Sequence, residues 1–155
     1  MAQQQKELQR GPLPLVYFLL AIAFMLALHF VLPLWKWLHW PWNLTGVVPI
    51  TAGLVIILIA DRQFKTPGTT VKPFHLSSRL VTDGMFRYTR NPMYLGMVII
   101  LLGMGICLAS ITPPIVVPVF IYIITVKFIR AEERSLEQQF GQAYTEYRSR
   151  VRQWI

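Results

Sequence analysis

Four long apolar runs alternate with polar segments along the chain. The runs cover residues 13–35, 44–60, 93–110 and 115–128. A helix needs roughly 17 to 25 predominantly apolar residues to cross a bilayer, and the fourth run reaches this length when Pro113, Pro114 and Ile129 are counted at its ends. The pattern predicts an all-α, polytopic membrane protein with about four transmembrane helices.

Two further segments show a weaker pattern. Beyond the fourth run, apolar and aromatic residues recur at steps of three, four or seven, which indicates an amphipathic helix lying at the membrane interface. These residues are Ile129, Leu136, Phe140, Tyr144, Tyr147, Val151 and Trp154. Residues 61–91 form a long loop in which apolar side chains accompany turn-forming residues. We therefore expect this loop to fold back onto the helices.

Composition supports this architecture. The chain has 155 residues, of which 54% are hydrophobic, whereas ordinary soluble domains contain roughly 45 to 50%. No repeat or composition shift divides the sequence. We expect a single domain over residues 1–155, in which residues 1–43 hold the first transmembrane helix and an aromatic belt, and residues 44–155 hold the remaining helices.

Basic residues predict the orientation of the chain in the membrane. If the chain crosses four times, all 15 lysines and arginines except Lys36 fall on one side. Because basic residues are retained in the cytosol, both termini and the loop of residues 61–91 are predicted to be cytosolic. The aromatic belt then lies at the opposite interface and is formed by Trp35, Trp37, Trp40 and Trp42.

The charge and the metal-binding residue types exclude two classes of function. The net charge of +8 does not indicate nucleic-acid binding, because the cations are scattered along membrane-flanking segments without an aromatic-interleaved patch. Attraction to anionic membrane lipids explains them better. No metal site is expected, because Cys107 is the only cysteine and the three histidines lie in different regions of the chain.

Polar residues gather where the third apolar run begins. Asn91 and Pro92 are favoured residue types for the cap and the first position of a helix, so a helix is predicted to begin here. Capping alone explains these two residues, but it does not explain the arginine beside them. A helix N-terminus with an arginine nearby suits a carboxylate or a phosphate, which makes Arg90 a candidate ligand contact.

An acidic pair, Glu132 and Glu133, follows the fourth run. The chain has 16 residues from Tyr94 to residue 110 and 16 more from residue 115 to residue 131, and each arm spans roughly 24 Å. Equal arms bring the acidic pair back to the level of Tyr94 and Asn91. Carboxylates beside a bilayer indicate a functional site, although charges at the start of an interfacial helix can also simply be solvated.

Taken together, the motifs resemble a known family. Residues 80–96 read LVTDGMFRYTRNPMYLG, and the acidic pair is followed by Phe140-Gly141 and Tyr144. These motifs, in this order and spacing, are similar to those of the isoprenylcysteine carboxyl methyltransferase family and its phospholipid methyltransferase relatives. The resemblance spans residues 44–155 as a family-like catalytic core. It implies an integral membrane methyltransferase that holds S-adenosylmethionine between the two motifs on the cytosolic side.

The resemblance also implies roles for individual residues. It assigns cofactor contacts to Leu80, Val81, Phe86, Asn91, Pro92, Tyr94 and Glu132. It assigns a substrate contact to an arginine just before the acidic pair, for which Arg130 is the nearest match, with Lys127 and Arg134 as alternatives. Eukaryotic members have histidine where this chain has Asn91, so a proton-transfer role does not carry over to that position.

These residue types suit the chemistry of methyl transfer. Arg90 or the helix N–H groups suit the carboxylate of S-adenosylmethionine, and an acidic side chain suits its ammonium or ribose. Phe86 and Tyr94 offer rings for the adenine or the sulfonium. Catalysis then depends mainly on alignment of the acceptor with the methyl group. A base is needed only for an amine acceptor, and Glu133 is the candidate.

The expected acceptor is a lipophilic compound that enters from the bilayer. An isoprenylcysteine carboxylate-like group or another carboxyl, amine or thiol fits these residues, and the oligomeric state is left open. One alternative is a membrane NADPH-dependent reductase acting on a sterol-like substrate, and another is a non-enzymatic scaffold or transporter. Binding of S-adenosylmethionine distinguishes the methyltransferase from both alternatives.

Overall fold

The computed structural model describes residues 13–32, 34–64 and 80–155, and this part of the chain is mainly helical. The α-helices in these ranges are α1 (Pro14–Val31), α2 (Val47–Phe64), α3 (Pro92–Leu108), α4 (Val116–Ile124), α5 (Arg130–Phe140) and α6 (Gln142–Arg150). A π-helical turn (Thr125–Ile129) joins α4 to α5, and 3-10 turns cover Trp42–Gly46, Gly84–Arg87 and Pro113–Ile115. The centre of the predicted loop, residues 65–79, lies outside the described residues, as does the basic segment before residue 13.

Several helices have the length and composition of membrane spans. Pro14–Val31, Trp42–Phe64 and Pro113–Phe140 are long and apolar enough to cross a bilayer. Helix α3 is also apolar and has 17 residues, which lies at the lower end of the range for a span. The prediction of an all-α, polytopic membrane protein is confirmed.

Helices α2 and α3 cross at close range because glycines face each other. Gly53 lies opposite Gly96, and Gly46, just before α2, lies opposite Gly103, so the two helices run antiparallel. A Cβ added at Gly53 would lie 2.5 Å from the Gly96 carbonyl oxygen. Backbones approach this closely in membrane bundles only where side chains are absent or small. The crossing therefore fixes α3, whose first turn carries the candidate site.

The core lies between α1, α3 and α4. The Phe18 ring of α1 is 6.1 Å from the Phe120 ring of α4, centroid to centroid, and Met25 of α1 is fully buried. Helix α3 ends at Leu108 and is followed by Ala109, whose φ of 55° is left-handed. Pro113 then begins the return arm. The hairpin of α3 and α4 is thus braced by α1 on one side and by α2 on the other.

The return arm continues through the π-helical turn without a break. Phe120 and Ile124 are buried four residues apart, and the next buried residue, Ile129, follows after five. A π turn accommodates one extra residue in this way. The step keeps Ile129 and Glu133 on the face that Ile124 occupies, so Glu133 is buried while its neighbour Glu132 is exposed.

The structure corrects several predicted boundaries. The first helix ends at Val31, short of residue 35, and the fourth continues past residue 128 because no helix breaker precedes Gly141. The predicted amphipathic helix is divided at Gly141, whose φ of 52° lies outside the helical region. The prediction that the loop folds back onto the helices is confirmed for its end, where Phe86 and Thr89 are buried.

Candidate active site

The start of α3, residues 89–94, is called the α3 mouth below. It is hydrogen-bonded to the C-terminal segment, residues 151–155. Pro92 opens the helix and Asn91 occupies the cap position, as predicted, but the Asn91 side chain makes no capping hydrogen bond. Asn91 Nδ2 instead donates to the main-chain carbonyl of Gln153 over 3.1 Å. The expected capping role is therefore wrong for this side chain, because its amide is turned toward Gln153.

Tyr94 joins α3 to the acidic pair. Its hydroxyl donates to Glu132 Oε1 over 2.7 Å, an ordinary length for a hydrogen bond between two oxygens. Tyr94 is buried, whereas Glu132 is exposed at the start of α5. The contact confirms that the two hairpin arms return to the same level.

Arg90 and Glu133 form a second, more deeply buried link. Arg90 Nη2 lies 3.1 Å from Glu133 Oε1, and the two side chains are only 10% and 11% exposed. Two other guanidinium nitrogens of Arg90, Nε and Nη1, are buried and have no hydrogen-bond partner among the described residues. Unpaired buried donors are costly, so Arg90 retains the capacity to bind an anionic or carbonyl group.

Two tyrosines of α6 surround the Arg90–Glu133 pair. Burial raises the pKa of Tyr144, the Glu133 charge raises it further, and the charge of Arg90 opposes both effects. Burial, with a smaller contribution from Tyr144, raises the pKa of Tyr147 to about 12. Both hydroxyls are therefore protonated at neutral pH.

The protonated Tyr147 hydroxyl positions the loop that precedes α3. It donates to the main-chain carbonyl of Phe86 over 2.7 Å. The Phe86 ring lies edge-on to Phe64, the last residue of α2, with centroids 4.9 Å apart. Phe86, a predicted cofactor contact, is thus fixed by α2 and α6 together.

An open groove of about 620 Å³ runs along the π-helical turn and α5, with α6 and the C-terminal segment on its other side. Its lining residues are Thr125, Val126, Arg130, Glu133, Arg134, Glu137, Arg148 and Gln153. The two predicted catalytic residues, Arg130 and Glu133, both line this groove, whereas Tyr94 and Glu132 do not. Three arginines face two glutamates here, and one of these glutamates is already paired with Arg90, so the groove favours an anionic group.

The structure unites most of the predicted site residues but not all of them. Arg90, Asn91, Tyr94 and the acidic pair share one contact network. Leu80 and Val81 are half-buried upstream of the Gly84–Arg87 turn. In the three described ranges, no group of His, Cys, Asp or Glu side chains is arranged to hold a metal ion.

Sequence reasoning missed the part played by the C-terminal segment. Arg152 and Gln153 act through main-chain carbonyls, which accept hydrogen bonds from Arg90 N–H over 3.1 Å and from the Asn91 amide. Every residue has such a carbonyl, so no residue type could have revealed these contacts. The only signal was the apolar spacing that continues to Trp154, which is partly buried against the core.

The arrangement can bind a ligand with groups of both charges. The guanidinium donors of Arg90 that have no partner among the described residues suit a carboxylate, and the exposed carboxylate of Glu132 suits an ammonium or hydroxyl groups. Phe86 and Tyr94 add aromatic rings near these charges. The fold and these contacts define a polytopic membrane protein with a cluster of paired polar side chains at one end of an apolar helix hairpin.

Comparison with known proteins identifies the family. Residues 42–143 match the family model described as phospholipid methyltransferase. The match covers more than half of the chain, which therefore belongs to the phospholipid methyltransferase family. The resemblance seen in residues 80–96 and the acidic pair is confirmed.

Several curated relatives are similar over part of their length. Protein-S-isoprenylcysteine O-methyltransferase B of Arabidopsis thaliana is 30% identical over 117 residues, 73% of this chain and 58% of that protein. Protein-S-isoprenylcysteine O-methyltransferase of Schizosaccharomyces pombe is 33% identical over 72 residues, 46% of this chain and 30% of that protein. The chain thus spans less than two thirds of the length of these relatives. No solved structure was found to match the chain.

Proposed function

We propose that this protein is an integral membrane methyltransferase that uses S-adenosylmethionine to methylate a lipophilic acceptor at the cytosolic face. The observation that carries the proposal is the pairing of the α3 mouth with the acidic pair, through Tyr94–Glu132 and Arg90–Glu133. Family membership supports methyl transfer over a nicotinamide-dependent reduction or a scaffold role.

The residues at the α3 mouth fit S-adenosylmethionine. The Arg90 donors without a partner in the described part of the chain suit its carboxylate, and Glu132 suits its ammonium or ribose. The rings of Phe86 and Tyr94 suit its adenine or sulfonium. Pro92 fixes the first turn of the helix, and Asn91 ties that turn to Gln153. Leu80 and Val81 complete the set of proposed contacts. When bound, the cofactor supplies the methyl group.

The groove along the π-helical turn and α5 supports a position for the acceptor head group. Arg130 and its neighbouring arginines suit a carboxylate or a phosphate, and Val126 extends the groove toward the apolar part of the helix. The names of the plant and yeast relatives point to an isoprenylcysteine carboxylate. An acceptor that is already an anion needs no base. Glu133 accepts a proton only if the acceptor is an amine, and it then gives up part of its pairing with Arg90.

The proposed cytosolic orientation rests on the basic residues near the site. Arg87, Arg90, Arg130, Arg134 and the arginines of α6 lie at the end of the bundle that holds the acidic pair, and Lys36 lies at the other end, paired with Ser110. The positive-inside rule retains the arginine-rich end in the cytosol. The cofactor then reaches the site from the cytosol, and the acceptor reaches it from the bilayer.

Transfer of a labelled methyl group tests both the activity and the orientation. Sealed, inverted vesicles that contain the protein are given labelled S-adenosylmethionine with a farnesylated cysteine, or with the same cysteine lacking its farnesyl chain. We expect the rate of methyl transfer to the farnesylated compound to be at least roughly tenfold higher than to the compound without the farnesyl chain. Partition into the bilayer raises the local concentration of the farnesylated compound near the site. Right-side-out vesicles should show no transfer until they are permeabilised.

Two results would contradict this proposal. Transfer to water-soluble acceptors alone would exclude a lipophilic substrate. Equal rates in intact vesicles of both orientations, with the cofactor confined to the outside, would contradict a site on the cytosolic face.

A further inference from the structure

Three consecutive residues before α3 bind the main chain of the C-terminal segment. Arg90 N–H donates to the Arg152 carbonyl over 3.1 Å. The Gln153 carbonyl accepts from the Thr89 hydroxyl over 3.2 Å and from Asn91 Nδ2 over 3.1 Å. Two adjacent carbonyls thus hold the segment that leads into the α3 mouth.

The Thr89 hydroxyl is the centre of this network. Besides donating to Gln153, it accepts a hydrogen bond from Asn91 N–H over 3.1 Å, and the residue is only 1% exposed. A hydroxyl can donate one hydrogen bond and accept others, so this group connects the C-terminal segment to the last N–H before Pro92. A valine has nearly the same shape but can do neither.

The backbone conformation of residues 89–91 determines the direction in which the side chains of Arg90 and Tyr94 point. Arg90, between Thr89 and Asn91, reaches Glu133, and Tyr94 reaches Glu132 from the first turn after Pro92. The proline has a fixed φ, so the helix start follows the orientation of the two residues before it. The acidic pair holds the side chains of this segment, and the C-terminal carbonyls hold its main chain.

We infer that Thr89 is a positioning residue of the proposed cofactor site. Its hydroxyl links the Gln153 carbonyl to the Asn91 N–H, and together with the direct bond from Arg90 N–H to Arg152 it fixes the backbone of Arg90 and Asn91 in the orientation that binding requires. This inference rests on the proposed function, because it gives the C-terminal segment a part in holding S-adenosylmethionine. It assigns Asn91 to the same network, as a residue that ties the α3 mouth to Gln153.

A pair of substitutions in the full chain tests the inference. Thr89→Val removes the hydroxyl, and Thr89→Ser keeps it. Hydrogen exchange is followed by mass spectrometry in peptides that contain the amides of Arg90 and Asn91, and S-adenosylmethionine binding is measured by calorimetry in detergent. For Thr89→Val we expect exchange at these amides to be roughly tenfold faster and the Kd to rise roughly tenfold, as for loss of a buried hydrogen bond. Thr89→Ser should stay within about twofold of wild type in both measurements.

Cofactor binding by wild type distinguishes failure of the proposed function from failure of this inference alone. If wild type does not bind S-adenosylmethionine, the proposed function fails, and the positioning role for cofactor binding fails with it, whatever the exchange data show. If wild type binds but Thr89→Val exchanges and binds as wild type does, the inference alone is overturned. Faster exchange with an unchanged Kd overturns it as well, because the hydroxyl would then brace the C-terminal segment without positioning the site. Loss of binding in Thr89→Ser would also contradict it, since the hydroxyl remains.

Discussion

The two adjacent glutamates of the acidic pair lie in different environments. Glu133 is buried against Arg90, whereas Glu132 is exposed and accepts a hydrogen bond from Tyr94. An ion pair in a buried position fixes the packing of the elements that carry it, and removing one partner leaves an uncompensated charge. Glu133 therefore stabilises the junction between α3 and α5, and Glu132 is the carboxylate available to a ligand.

Substitution of each glutamate by glutamine separates these roles. Glu133→Gln should lower the free energy of unfolding by about 3 kcal/mol, because it leaves Arg90 buried without a counter-charge. Glu132→Gln should lower it by only about 1 kcal/mol, because one hydrogen bond at the surface is weakened. Unfolding of both variants in detergent, followed by circular dichroism, measures the difference. Equal losses, or a larger loss for Glu132→Gln, would show that the buried pair does not stabilise the junction.

Residue-level contacts could be predicted only where two side chains determine them. Counting residues along the hairpin placed Tyr94 level with Glu132, because helical rise is constant. The partner of Asn91 could not be found in this way. Its amide binds a main-chain carbonyl of Gln153, which has no signature in the sequence, and the rule that asparagine caps helices indicated a different contact.

At the scale of helices, the glycine crossing of α2 and α3 fixes the position of the site. Gly53 and Gly96 lie in contact at the centre of the crossing, and Gly96 is only two residues beyond Tyr94. A bulkier residue at the crossing would push α3 away from α2. Because Phe86 packs against the end of α2, such a shift would separate the two sides of the proposed cofactor site.

Alanine substitution at two glycines compares this crossing with a more open position. A Cβ at Gly53 would meet backbone 2.5 Å away, whereas a Cβ at Gly105 would first meet the Pro114 side chain at 3.3 Å. We expect Gly53→Ala to destabilise the protein by about 1 to 3 kcal/mol through overpacking. Gly105→Ala should be nearly neutral, since the helix propensity of alanine offsets a mild contact. Thermal unfolding in detergent measures both, and a neutral Gly53→Ala would contradict the close crossing.

Helix existence was predictable, but several helix ends were not. Long apolar runs are required by the bilayer and identified all four apolar helices. The fourth helix extends beyond its apolar run because helical hydrogen bonding continues through polar residues until Gly141. The π turn at Thr125–Ile129 also lacks a sequence signal, although it determines that Glu133, and not Glu132, is buried.

The whole molecule separates an apolar bundle from a polar end. Three stretches of the described chain have the length and composition of spans, and the contacts among Arg90, Tyr94 and the acidic pair all lie at one end of the α3–α4 hairpin. The overall architecture followed from hydrophobicity and charge, which act over many residues. The closure of that end by the C-terminal segment depends on a few main-chain hydrogen bonds, and only the structure reveals it.

Binding of S-adenosylmethionine to the detergent-solubilised protein tests the central claim most directly. Calorimetry is performed on wild type, on Glu132→Gln, and on Glu146→Gln, which changes an exposed glutamate of α6 that pairs with Arg150. We predict binding to wild type at a single site, roughly tenfold or more weaker binding to Glu132→Gln because a charged hydrogen bond to the ligand is lost, and unchanged binding to Glu146→Gln. Absence of binding to wild type, or equal affinity for wild type and Glu132→Gln, would contradict a cofactor site at the mouth of α3.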